Sequence, residues 1–144
     1  MPTYTVYVQH DVLTEEQEQK IAEAITQAHS KTTGAPRYYV QVILTGNYGG
    51  RRFVGGLPSE RQLWIHGDIR SGRTDEQRKE LMLALMDGVS KAADIEQDDI
   101  WIDLNEIQPT SILKYKTVFP PAGKEKEWFQ SLPKELRQKL DAEQ

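Results

Sequence analysis

One block of sequence signals occurs twice in this chain, and the repetition limits what it can fold into. Thr14-Glu15-Glu16-Gln17 opens a run in which Ile21, Ile25 and Ala28 recur at helical spacing, and Gly34 with Pro36 closes it. Thr74-Asp75-Glu76-Gln77 opens a second run whose apolar stripe includes Leu81, Leu85 and Val89. In each case a threonine N-cap stands three residues before a glutamine, the pattern of a capping box. The ends match as well, with Ser30-Lys31 in the first run and Ser90-Lys91 in the second.

Each helical run is flanked by strand-like segments: Thr3 to Gln9 and Tyr38 to Leu44 around the first, Leu63 to Ile69 and Ile100 to Glu106 around the second. The chain therefore reads β-α-β twice, and crossovers of this length join parallel strands with the usual right hand. The expected fold is α+β, a two-layer α/β sandwich in which duplicated β-α-β units form a four-stranded mixed sheet with two helices on one face. The units span about residues 2–60 and 61–107, and residues 108–144 form a C-terminal helical tail on a single domain, 1–144. The turn-rich stretch Thr45 to Arg52 between the units reads as a hairpin loop or a lid.

Such a sheet keeps one face uncovered, and Tyr38 to Leu44 is too apolar to leave that face to water. A hydrophobic fraction of 38% against 28% charged residues implies a thin core, which small domains often complete by association. The expectation is an oligomer packed through the sheet faces; the alternative is a tail that folds back over the open face.

Composition excludes several kinds of function. Eighteen basic and 22 acidic residues give a net charge of −4, so no global basic field recruits nucleic acid or an anionic membrane. The absence of cysteine excludes disulfides, thiolate catalysis and thiolate-bound metal. His10, His29 and His66 lack metal-ligand spacing, so no metal and no cofactor are expected. No apolar stretch is long enough to cross a bilayer, and no signal peptide is expected before the first strand, which makes the cytoplasm the expected compartment.

Several residues carry chemical potential. Pro2 follows the initiator, and removal of Met1 would expose a secondary amine whose nitrogen is itself reactive. Burial disfavours its charged form, which would make it a base near neutral pH; the plain alternative is that Met-Pro is only a common start. In Ile69-Arg70-Ser71-Gly72-Arg73-Thr74, two arginines stand between a strand and a helix cap, where a carboxylate or phosphate meets helix N–H groups and bidentate guanidiniums. The same pair also suits surface salt bridges. His29, at the end of the first helix, suits either a helix-end cap or a hydrogen-bond donor to substrate. Asp103 shares a strand face with Trp101 and Asn105, either solvated or set in a polar pocket. Lys124 to Glu127 reads as an exposed helix face.

Proline after the initiator, a doubled β-α-β unit and paired arginines before the second helix together resemble the tautomerase superfamily. Ala22 to His29, Gln41-Val42, Ile69 to Arg73, Ile100-Trp101-Ile102, Pro121-Ala122-Gly123 and Glu127-Trp128-Phe129 are similar to its cis-3-chloroacrylic acid dehalogenase group. The resemblance implies that Pro2 is the catalytic acid or base, that His29, Arg70 and Arg73 bind a substrate carboxylate, and that the protein is a homotrimer whose sites neighbouring subunits help complete. The group's water-activating tyrosine and glutamate are replaced by Asp103 and Lys114. A lysine cation cannot take a proton from water as a carboxylate does. The expected activity is thus cofactor-independent keto-enol tautomerisation of a small 2-oxo acid, with Asp103 and Lys114 among the substrate-binding residues. Alternatives are hydration, dehalogenation or decarboxylation of a three-carbon acid such as a cis-3-haloacrylate, and a non-catalytic binding protein on the same scaffold.

Overall fold

The computed structural model describes residues 2–8, 13–46, 51–59 and 61–142. Strand β1 (Thr3–Tyr7) leads to helix α1 (Glu15–Thr33), and β2 (Gln41–Thr45) follows. A hairpin of β3 (Arg52–Val54) and β4 (Leu57–Ser59) precedes β5 (Leu63–Arg70), α2 (Asp75–Ala93) and β6 (Ile100–Ile107). The tail holds a second small hairpin, β7 (Leu113–Lys114) with β8 (Thr117–Val118), and helices α3 (Glu125–Ser131) and α4 (Lys134–Ala142).

The main sheet has the order β2-β1-β5-β6. Pairing is parallel within each unit, β1 with β2 and β5 with β6, and antiparallel between the central strands β1 and β5. The doubled sequence signal is therefore a doubled structure. Both capping boxes form: the Thr14 and Thr74 hydroxyls each accept from the backbone N–H of the glutamine three residues on, at 3.2 Å in both helices. The glutamine side chains accept from the threonine N–H groups in return. Acidic first turns suit the positive helix ends.

Alternation decides the core. Tyr4, Val6 and Val8 on one side of β1, with Leu63, Ile65 and Ile69 from β5, face Ile21 and Ile25 of α1 and Leu81, Leu85 and Val89 of α2. Each fully buried aliphatic side chain contributes roughly 1.5–3 kcal/mol of transfer free energy. Both helices thus cover one sheet face.

The start of the second strand differs most from the sequence reading. The segment expected to run extended from Tyr38 begins with a 3-10 turn, Arg37–Tyr39, and the strand starts only at Gln41. Pro36 sets up that turn, and Tyr38 and Tyr39 are drawn into a second cluster formed with the tail. Of the stretch Thr45 to Arg52, Thr45 ends β2 and Arg52 opens β3, and the hairpin that follows bends at Gly55-Gly56, both at positive φ (59° and 81°). Two left-handed residues in a row suit a two-residue hairpin, and glycine adopts them without strain. Residues 47–50, in the middle of the expected loop, and Gln9, at the end of the expected first strand, lie outside the described residues.

The tail builds its own cluster from Phe119, Trp128, Leu132 and Leu140 around Ala35 and Tyr39. Trp128 anchors it by donating from Nε1 to the Val118 carbonyl at 3.0 Å. The outer sheet face stays open: Trp64 is 38% and Trp101 64% exposed. Folding back of the tail over this face, the alternative to association, is not what the chain does.

Candidate active site

Sheet register brings the chemistry to one end of the molecule. Thr3 pairs with Asp68 across the antiparallel β1/β5 ladder, so the start of β1 lies beside the end of β5. Pro2 and Arg70, both buried, therefore belong to the same end of the sheet. The Pro2 carbonyl is held by the backbone N–H of Gln41 at 3.0 Å. Helix α1 delivers His29 to this end in its last turns, and His29 is only 1% exposed.

Tyr4, two residues after Pro2 on the same inward side of β1, meets His29 directly. Its hydroxyl lies 2.7 Å from His29 Nδ1, and the rings meet edge to face. The ring of Tyr4 fits because position 67 is glycine: a Cβ there would come within 2.7 Å of both Tyr4 Cε1 and Leu104 Cδ2. Burial, followed by the positive charges of Arg73, Arg70 and the amino terminus, pushes the His29 imidazole down to about 3. Burial pushes the Tyr4 phenol up, with Arg73 opposing. Both groups are neutral at physiological pH. His29 is thus a neutral imidazole rather than the cationic helix cap that its position allowed.

The two arginines are not surface ion-pair partners. Arg70 is 2% exposed; its Nη1 donates to the Pro120 carbonyl at 2.8 Å, and its Nη2 to the Glu125 carboxylate. Its guanidinium carbon sits 5.7 Å from the centre of the Tyr39 ring. Burial alone would raise the Glu125 carboxyl, but the Arg70 bond, backbone N–H groups and the Arg70 charge hold it below the ordinary carboxylate range. Arg73, half-buried, donates from Nη1 to the Arg70 carbonyl at 3.0 Å, and Arg78 fixes the Arg73 carbonyl at 2.7 Å. Burial and then Arg70 push the Arg73 guanidinium down. A dense positive corner faces Tyr4 and His29, with Glu125 as the counter-charge supplied by the tail.

Asp103 is placed elsewhere within the chain. On the open sheet face its carboxylate accepts from Trp64 Nε1 and lies 2.5 Å from His66 Nδ1, while His66 Nε2 is 3.6 Å from Asp68. Lys114 stands half-buried on β7 with its ammonium 4.8 Å from the centre of the Tyr115 ring. The sequence reading missed Tyr4, Tyr39 and Glu125. Tyr4 carried a usable signal, its inward position two residues from Pro2; Glu125 carried none, because its partner is 55 residues away. Among the described residues no group of three or more His, Cys, Asp or Glu is placed to hold a metal ion. Among the described residues no helix is long and apolar enough to cross a membrane.

The Tautomerase_3 family model, described as an oxalocrotonate tautomerase enzyme, matches residues 1–131. The crystal structure of N1, a member of the cis-3-chloroacrylic acid dehalogenase family, superposes with a TM-score of 0.93 at 33% identity, covering 97% of this chain and 99% of that one. A fused 4-OT crystallised as a symmetric trimer shares the fold at 23% identity and TM-score 0.75, over 83% of this chain and 97% of its own. Macrophage migration inhibitory factor of Toxoplasma gondii shares it at 17% identity and TM-score 0.68, over 81% and 99%. No curated protein matches the sequence. The chain belongs to the tautomerase superfamily, in its cis-3-chloroacrylic acid dehalogenase-like group. That membership puts it among enzymes of isomerase or dehalogenase type.

Proposed function

We propose that this protein is a cofactor-independent tautomerase of small 2-oxo acids, with Pro2, freed by removal of Met1, as the acid-base group. The observation that carries the reading is the convergence of buried Pro2, the neutral Tyr4–His29 pair and Arg73 beside Arg70 at one end of the sheet. Positive neighbours favour the neutral, basic form of an amine. The Pro2 nitrogen takes a proton from the carbon next to the carbonyl, the bonding pair forms the C=C bond, and charge moves onto the carbonyl oxygen. Arg73 and His29 hold the carboxylate and the developing enolate, and the prolinium returns the proton to oxygen. Arg70, tied to Glu125 and Pro120, shapes the corner and adds charge.

Assembly belongs to the same proposal. The exposed tryptophans of the open sheet face support packing against neighbouring subunits, and the trimeric fused 4-OT of the same fold supports a homotrimer. Such packing would cover Asp103 and could carry it to a neighbour's site. A second reading, hydration or dehalogenation of a three-carbon acid, is favoured by the similarity to N1. It is weakened by a lysine at position 114 and by an Asp103 carboxylate committed to Trp64 and His66.

The test uses protein whose intact mass shows loss of Met1. Wild type and Pro2→Ala are given phenylenolpyruvate and, separately, cis-3-chloroacrylate. Ketonisation that is lost in the variant is expected; halide release would favour the second reading. Rates equal to the uncatalysed reaction with both proteins on both substrates would sink the enzymatic proposal.

A further inference from the structure

Tyr39 breaks the rule that buried hydroxyls find partners. The residue is 1% exposed, and its hydroxyl oxygen is buried with no hydrogen-bond partner among the described residues. The ring is fully used, packed against Phe119, Trp128 and Tyr38 at centroid distances of 4.9, 5.5 and 5.1 Å. A phenylalanine would make the same ring contacts without burying an unpaired hydroxyl, so packing explains the ring and leaves the oxygen unexplained.

Its surroundings point to the reacting corner. The Arg70 guanidinium lies over the Tyr39 ring at 5.7 Å, and the hydroxyl feels the charges of Arg70 and Glu125. The 3-10 turn that carries Tyr39 leads through Val40 into Gln41, the residue that bonds the Pro2 carbonyl. Burial pushes the phenol up, which keeps it an O–H donor throughout the physiological range. The unpaired group is therefore a neutral donor at the edge of a cationic corner, close in the backbone to Pro2.

We infer that Tyr39 is a substrate-contacting residue whose hydroxyl donates to an oxygen of the bound acid, selecting acids with a second oxygen next to the carboxylate (2-oxo acids and their enolates) over acids without one. This rests on the tautomerase proposal and narrows its substrate class. A site built to donate a hydrogen bond rejects a ligand lacking the acceptor far more strongly than an apolar wall rejects a wrong shape.

Binding tests this apart from turnover. Oxalate, a planar mimic of a three-carbon enolate, and acrylate, which has no second oxygen, are titrated calorimetrically into wild type and Tyr39→Phe; thermal unfolding of both is followed at one protomer concentration. The expected result is oxalate affinity lowered at least tenfold in Tyr39→Phe, acrylate affinity within twofold, and a melting temperature equal to or above wild type. Equal oxalate affinity in the two proteins, or no oxalate binding to wild type, would overturn the inference. A lower melting temperature would overturn it too, since the hydroxyl would then have a partner in the protein or its assembly. Failure of the parent proposal looks different: Pro2→Ala would leave turnover unchanged while the oxalate preference persisted.

Discussion

Acidification from pH 7.5 to pH 5 is expected to cost the folded protein about 2 kcal/mol through His29 alone. The imidazole, ordinarily near 6.5, is held at about 3 by burial and by the positive charges around it. In the unfolded chain it takes up a proton as the pH falls below about 6.5; in the folded protein it does not until about 3. The unfolded state therefore binds more protons throughout that interval. Stability from this group is complete above about pH 6.5 and declines as the pH falls, at about 1.4 kcal/mol per pH unit, reaching roughly 2 kcal/mol lost at pH 5 and roughly 3 at pH 4. Carboxylates titrate in the same range, so a control is needed. His29→Gln supplies it: the amide can still hydrogen-bond the Tyr4 hydroxyl, but the side chain has no proton to gain. Urea unfolding followed by circular dichroism, at a single protomer concentration and at pH 7.5, 6.5, 5.5 and 5, gives both curves. Between the extremes wild type should lose about 2 kcal/mol more than His29→Gln. Parallel curves would refute the claim that His29 is buried neutral beside the arginines.

Gly67→Ala places a methyl 2.7 Å from the Tyr4 ring and from Leu104, and should cost about 1–3 kcal/mol by overpacking, read by thermal unfolding, with turnover falling as Tyr4 shifts off His29. Glu125→Gln removes the counter-charge of buried Arg70; chemical denaturation should show a loss of up to about 3 kcal/mol, the low end for a buried pair because the carboxylate remains 20% exposed. Arg73→Ala should lower kcat/KM by an amount equivalent to about 2–4 kcal/mol, and unchanged steady-state kinetics would remove it from the site. Lys114→Glu restores a carboxylate where the resemblance requires one and should raise hydration of a three-carbon acid, measured by product formation; no gain would show that position 114 does not serve the reacting water.

What the sequence made legible is what local rules govern. The two capping boxes, the apolar stripes of α1 and α2 and the four main strands each follow from residues within a few positions of one another, and each appears in the structure. The short hairpins did not, because β3 and β4, and β7 and β8, pair over two or three residues and carry no alternation long enough to register. In the second of them the turn is made by Tyr115 and Lys116 at positive φ, residues that announce no such turn.

The candidate site divides along the same line. Pro2, His29, Arg70 and Arg73 were visible as residue types at element ends, and parallel and antiparallel pairing together bring those ends to one place. Their states were not visible, because each is decided by a partner remote in sequence. Burial beside Arg73 and Arg70 turns His29 from a helix-end cation into a neutral imidazole, bonded to Tyr4 across 25 positions, and the tail turns Arg70 from a surface cation into a buried one bonded to Pro120 and Glu125 across 50 and 55. The tail is thus more than an appendage to the repeat. By supplying the Glu125 carboxylate it allows two guanidiniums to stand side by side in a largely buried corner, and by enclosing Tyr39 it fixes a hydroxyl to which no described residue offers a partner. A duplicated β-α-β frame alone would put cations near the first residue of the chain; the segment after it decides which of them remains to meet a substrate.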